Sequence, residues 1–205
     1  MTLVSLTPNS FASNCYLAIQ DGHAYVIDPS ASVERILRAL QENEVECDGF
    51  LLTHGHFDHM LSLDALAEAL PDAPVYIHEA DAENLADGEK NAFSTFFGHS
   101  HAYRRADKLL HEGDRLPLGD AWLTVLHTPG HTRGSVCYLS SANDYLISGD
   151  TLFAQGYGRY DLYGGDAAAL ISSLRRLSTL SADLTLASGH GELAKLSDAI
   201  HLLGL

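Results

Sequence analysis

Short apolar runs rich in β-branched and aromatic residues recur along this chain, separated by Gly, Asp, Asn and Pro. Residues 15–19, 24–27, 50–52, 75–77, 122–126, 135–139, 145–147 and 184–187 read as strands. Between them the apolar period lengthens to that of a helix. Val33, Ile36, Leu37 and Leu40 fall on one helix face, and Leu63, Leu66, Ala67 and Leu70 repeat the pattern until Pro71 stops it. Leu170, Ile171, Leu174 and Leu177 do so again, and a last short helix is expected over 194–203. Residues 79–115 are less regular. A helix is expected over 79–86, and 91–101 carries Phe93, Phe96 and Phe97, read as anchors of a loop to the core in preference to a lid over a site. Strands and helices alternate over the whole length, which predicts a layered α/β fold. No linker or low-complexity tract divides the chain, so 1–205 is expected to form a single domain.

Composition narrows the function more by exclusion than by assignment. With 205 residues and 46% apolar content, the chain is ordinary for a globular protein with one sizeable core. No apolar run approaches the roughly 18 residues of a membrane-spanning helix, and no basic end followed by an apolar block opens the chain, so neither membrane nor secretion is expected. Cys15, Cys47 and Cys137 are scattered and odd in number, which reads as free thiols in a reducing cytoplasm. Twelve Lys and Arg against 27 Asp and Glu leave a charge of −15 and exclude a basic groove for nucleic acid.

The placement of the histidines carries the chemistry. Thr53-His54-Gly55-His56-Phe57-Asp58-His59 packs four side chains able to bind metal between an apolar strand and a helix. His54 and His56, two apart on an extended or turning backbone, project to the same side. Three further candidates share with His54 a position just after an apolar strand. His131 follows residues 123–127 through Thr128-Pro129-Gly130, Asp150 ends 145–149, and His190 ends 184–189. Side chains leaving the carboxyl ends of neighbouring strands converge at one sheet edge. A lone histidine after a strand is more often a hydrogen-bonded polar residue than a ligand. Burying four such groups without a partner is too costly for that reading to extend to the cluster. Nitrogen and carboxylate donors of this kind suit Zn²⁺, Fe²⁺ or Mn²⁺. His99 and His101 mimic the spacing without a preceding strand, His78 is a candidate rim residue, and His127 is expected to face elsewhere. His23, His111 and His201 read as surface residues.

Thr53-His54-x-His56-x-Asp58-His59, Thr128-Pro129-Gly130-His131-Thr132, Gly149-Asp150-Thr151 and Gly189-His190 resemble, in order and over nearly the whole chain, the metallo-β-lactamase superfamily. The resemblance implies a four-layer αββα sandwich with its site at one edge. It also implies a division of ligands in which His54, His56 and His131 hold one metal, Asp58, His59 and His190 the other, and Asp150 bridges. True β-lactamases of the superfamily usually carry cysteine where Asp150 stands, which argues against antibiotic hydrolysis. Gly149-Asp150-Thr151-Leu152-Phe153 with Gly158-Arg159-Tyr160-Asp161 is similar to the glyoxalase II group, the hydroxyacylglutathione hydrolases, and above all to its short bacterial members.

That likeness implies two divalent metal ions, zinc ahead of iron or manganese, and a small-molecule thioester substrate attacked by a metal-bridging hydroxide. Asp58 would orient that hydroxide and accept its proton. Two departures bear on the carrier. The chain ends before the C-terminal helical domain that helps longer members hold glutathione, and the family's Lys and Tyr are matched by Arg159 and Asp161. Arg159 is a candidate to meet a substrate carboxylate, which Arg does bidentately, or to brace its own loop by pairing with Asp161. Two other readings stay open: a persulfide dioxygenase-like enzyme with one Fe²⁺ on His54, His131 and Asp150, and a lactonase or phosphodiesterase for small molecules.

Overall fold

The computed structural model describes residues 1–6 and 12–205. One six-stranded sheet follows chain order: β1 (Thr2–Ser5), β2 (Tyr16–Gln20), β3 (His23–Ile27), β4 (Glu46–Leu51), β5 (Val75–His78) and β6 (Lys108–Leu110). The second holds β7 (Arg115–Leu118), β8 (Ala121–His127), β9 (Val136–Ser140), β10 (Tyr145–Gly149), β11 (Thr185–Ser188) and β12 (Ala194–Lys195), again as chain neighbours. In the first sheet β3 to β6 run parallel, and in the second only β10 and β11 do. The helices are α1 (Val33–Glu42), α2 (Leu63–Ala69), α3 (Phe93–Phe97), α4 (Ala167–Leu177) and α5 (Leu196–Leu202).

The two-residue period of a strand produces the layers. Leu17, Ala24 and Val26 pack with Ile36 and Leu40 of α1 and Leu63 and Leu66 of α2. Their neighbours Tyr16, Ala18, Tyr25 and Ile27 turn the other way, onto Leu123, Val125, Val136 and Tyr138 of the second sheet. On the far side, Leu126, Cys137, Leu146 and Leu186 meet Leu170, Leu174 and Leu177 of α4 and Leu196 and Ile200 of α5. Three buried interfaces thus separate helices, sheet, sheet and helices, the αββα order expected. Two buried tyrosines bond across the sandwich, Tyr16 Oη donating to the Ser188 carbonyl (2.8 Å) and Tyr138 Oη to that of Leu52 (2.7 Å). Both acceptors lie where strands end and site loops begin.

The eight expected strands are present, seven of them within two residues at either end, while β4 begins at Glu46, four residues before the expected 50–52. The four that the pattern does not reveal, β1, β6, β7 and β12, are the outermost strands of the two sheets. An edge strand is short and partly wet, so its hydrophobic alternation is weak. Two helices differ from expectation, and the short α3 (Phe93–Phe97) forms within the segment expected as a loop. Residues 79–86 form two 3₁₀ turns, Glu79–Asp81 and Asn84–Ala86, because Asp81 and Asn84 point inward and Asp81 serves as a hydrogen-bond acceptor there. The last helix begins at Leu196, since Ala194 and Lys195 pair with Leu186 and Thr185 of β11. Among the described residues no helix is long and apolar enough to cross a membrane.

Candidate metal centre

The carboxyl ends of β3, β4, β8, β10 and β11 meet at one edge of the sandwich, and the loops after them bring the seven candidate ligands together. His54 Nε2 lies 3.1 Å from His56 Nδ1, which is 2.9 Å from His131 Nε2, and the third side of the triangle is 3.1 Å. The outward nitrogens fix the tautomers. His131 Nδ1–H donates to the Arg159 carbonyl (2.6 Å), and His54 Nδ1 faces Thr53 Oγ1 (3.1 Å), whose own proton goes to Asp28 Oδ2 (2.7 Å). His54 and His131 therefore turn lone pairs inward, and these oppose each other unless a cation lies between them. Burial, reinforced by the neighbouring imidazoles, holds His54 well below its ordinary pKa. Burial likewise brings His56 down to about 3. Both stay neutral, the form that binds metal.

Asp58, His59 and His190 form a second group, and His54, His59 and Asp150 link the two. His190 Nε2 is 3.2 Å from Asp58 Oδ2. His59 Nδ1 donates to Asp28 Oδ2 (2.8 Å), which in the neutral, metal-binding ring leaves its Nε2 as an acceptor 3.2 Å from Asp150 Oδ1. Neither of those two atoms has a hydrogen-bond partner, although both are fully buried. Two facing acceptors without a proton between them are costly to bury; a shared divalent cation removes the conflict. Asp150 Oδ2 reaches the other way, to His131 Nε2 (3.7 Å) and His190 Nε2 (3.6 Å), so its carboxylate spans both groups. Burial opposes the charge on Asp150, but His59, His131 and His190 hold the carboxyl far below its usual range. Asp58 is lowered as well, burial again opposing and His59 with His190 prevailing. Without a cation, Asp150, Asp28 and Asp58 hold His59 well above its ordinary value despite its burial, so a proton on Nε2 then takes the place facing Asp150 that a cation would fill. The donor set, imidazole and carboxylate without thiolate, fits a pair of first-row divalent cations.

Two buried aspartates that the sequence reading passed over align these ligands. Asp28, at a left-handed φ of 49° after β3, accepts from Thr53 N (2.8 Å) as well as from Thr53 Oγ1 and His59. It follows an apolar strand just as Asp150 does, so the same signal points to it. Asp81 accepts from Gly55 N (2.9 Å), Thr132 Oγ1 (2.6 Å) and Gly134 N (2.7 Å), tying the His54–His56 loop to the His131 loop. Burial pushes the Asp81 carboxyl up in spite of those donors. Its inward direction follows no pattern visible in residues 79–86. Glycine is required where the ligands crowd the backbone. A Cβ at Gly189 would sit 2.2 Å from Asp150 Oδ1, and one at Gly158 would sit 2.0 Å from the Asp150 carbonyl.

A cavity of about 500 Å³ opens onto the ligands, with His56, Asp58, His131, Asp150 and His190 on its floor and Phe57, Phe96, Phe97, Phe153 and Leu162 among its walls. The aromatic loop is therefore both anchor and wall: Phe57 contacts Phe93, Phe96 and Phe97 at centroid distances of 5.4–5.5 Å. Arg159 lines the cavity, but its guanidinium is forked onto Asp161, Nε to Oδ1 at 2.7 Å and an Nη to Oδ2 at 2.8 Å. The remaining histidines stay outside. His78 and His127 stack on each other at 4.0 Å and do not line the cavity, and His99 and His101 pack on Phe93.

Known proteins resemble this chain in sequence and fold. The chain is 37% identical to the probable metallo-hydrolase YqgX of Bacillus subtilis, over 87% of this chain and 85% of that one. It is 30% identical to the hydroxyacylglutathione hydrolase GloC of Haemophilus influenzae, over 93% and 91%. Among solved structures it is similar to the BLEG-1 B3 metallo-β-lactamase, with a TM-score of 0.89 and 32% identity over 98% and 99% of the two chains. A di-iron-bound form of TTHA1623 gives 0.82 and 34% over 97% and 96%, and ETHE1 from Myxococcus xanthus 0.78 and 28% over 97% and 81%. The sequence model of the metallo-β-lactamase superfamily matches residues 9–190, a span that includes every ligand position, and the chain belongs to that superfamily.

Proposed function

We propose that this metallo-hydrolase is a thioester hydrolase of the hydroxyacylglutathione hydrolase type, using two divalent cations held by His54, His56 and His131 on one side, Asp58, His59 and His190 on the other, and Asp150 between. The observation that carries it is the Asp150 carboxylate, whose Oδ1 faces His59 and whose Oδ2 faces His131 and His190, so that it reaches both groups of ligands beside a substrate-sized cavity. Cations bound there supply Lewis acidity, which polarises an acyl carbonyl and lowers the pKa of water to about 7. Zinc is the first candidate; iron or manganese suits the same donors, and one similar structure is a di-iron form.

The protein's own residues supply alignment and a proton acceptor. Asp58 faces the cavity, hydrogen-bonded to His190, and its carboxyl is held ionised, so it can take the proton of an attacking water. The new bond is carbon to oxygen, the broken one carbon to sulfur. The thiolate departs without an acid catalyst and recovers a proton from solvent, leaving a carboxylate and a thiol. Lactones and other activated esters meet the same requirement, whereas the absence of a surplus of basic residues counts against a nucleic-acid phosphodiester.

A second reading, one Fe²⁺ on His54, His131 and Asp150 with oxygen as co-substrate, draws some support from the likeness to ETHE1. It gives no task to His56, Asp58, His59 and His190, which converge on the same place. Metal content, thioester hydrolysis and oxygen uptake on one preparation separate the two. Two metals with thioester turnover support the hydrolase; one iron with oxygen uptake and no hydrolysis overturns it.

A further inference from the structure

We infer that the cavity selects thioesters with an apolar acyl chain, on a carrier that needs no cationic recognition; this rests on the thioester-hydrolase reading above. The apolar walls of the cavity are built from Phe57, Phe96, Phe97, Phe153 and Leu162. Phe96 and Phe97 stand 56% and 45% exposed, an amount of aromatic surface that water covers poorly and a hydrocarbon chain covers well. The entry to the helix that carries them has a rare backbone conformation. Ala92, which itself lines the cavity and begins the turn into α3, has a left-handed φ of 67°, unfavourable for a residue with a Cβ.

Charge points the same way. A glutathione carrier brings two carboxylates and one ammonium, and tight recognition of it calls for exposed cations. Arg159 is the only Lys or Arg that lines the cavity among the described residues, and Asp161 already occupies its fork at two points. A substrate carboxylate reaching Arg159 replaces one carboxylate by another and gains little. The protein's net charge of −15 adds no attraction for an anionic carrier.

The test uses the metal-loaded protein with S-acyl N-acetylcysteamines from acetyl to octanoyl, beside S-lactoylglutathione. Each methylene laid against the aromatic wall should raise kcat/KM by about fourfold until the cavity is filled. The Phe96→Ala/Phe97→Ala protein should flatten that rise to under about twofold per methylene, with metal content per chain unchanged. Asp161→Asn should raise kcat/KM for S-lactoylglutathione, more strongly at low salt, because it frees the Arg159 fork. A rate independent of chain length, with S-lactoylglutathione the best substrate, overturns the inference and leaves the thioester reading intact. No effect of Asp161→Asn on S-lactoylglutathione overturns the masking of Arg159. No turnover of any thioester overturns both readings.

Discussion

The two groups of ligands are built from similar side chains and differ in their surroundings. His54, His56 and His131 are buried almost completely, their ring nitrogens within about 3 Å of one another. In the other group His59 is buried, but the Asp58 and His190 side chains are 19% and 35% exposed and face the cavity. In the buried triangle Arg159 and Thr53 fix the tautomers of His131 and His54, while the open group keeps a carboxylate within reach of solvent and substrate. A site that must both retain metal and admit reactants divides the work in this way: burial strengthens binding in one half, and access permits proton transfer in the other.

Asp150 joins the halves, so its loss should erase the difference. Asp150→Ala should lower kcat by roughly 10³-fold or more, since several kcal/mol of charge stabilisation depend on the metals it spans, and should reduce metal content in both groups. Retention of two metals in this variant contradicts the bridging role. Asp58→Asn acts on the open half alone. It should lower kcat by about 10²–10⁴-fold with little change in KM, as for loss of a proton acceptor; an unchanged kcat removes Asp58 from that role.

Asp28 and Asp81 touch the ligands' supports instead of the reactants. Asp28→Asn should weaken metal affinity by about 10–100-fold, read by chelator competition, because it aligns both Thr53 and His59. Asp81→Ala leaves the buried Gly55 and Gly134 amides unpaired, while Thr132 Oγ1 keeps Ser135 Oγ at 2.7 Å, and should cost about 2–4 kcal/mol of stability in denaturant unfolding. The smallest effect belongs to pH. In chelated protein His56 is held at about 3 and His78 at about 4, both by burial, so the folded state resists protonation that the unfolded chain accepts near 6.5. Their contribution to stability is complete above about 6.5 and is lost as pH falls toward those values. A chelated protein no less stable at pH 5 than at pH 7 contradicts it.

How much of this is legible in the sequence depends on what each residue faces. Strands buried on both faces declare themselves as apolar runs, and the ligands that follow β4, β8, β10 and β11 are visible because a polar residue directly after such a run is conspicuous. The edge strands β1, β6, β7 and β12 escape because solvent on one side removes their pattern. Asp28 carries the same signal as Asp150 and is legible by the same rule. Asp81 is not: it lies in a stretch with helical composition, and the backbone donors it serves, on Gly55 and Gly134, become neighbours only once both sheets are in place. The Arg159–Asp161 pair is legible from its spacing, whereas the aromatic wall around it emerges only when α3 and the loop carrying Phe153 and Leu162 come together.

The most direct test of the central claim, a pair of cation positions sharing Asp150, is elemental analysis of the protein purified without added metal, read beside its thioester hydrolysis. The account predicts close to two divalent metal ions per chain, activity that disappears with chelation, and recovery of activity in step with the return of both. A single iron per chain with full occupancy, no thioester turnover and oxygen uptake in the presence of a persulfide would contradict it.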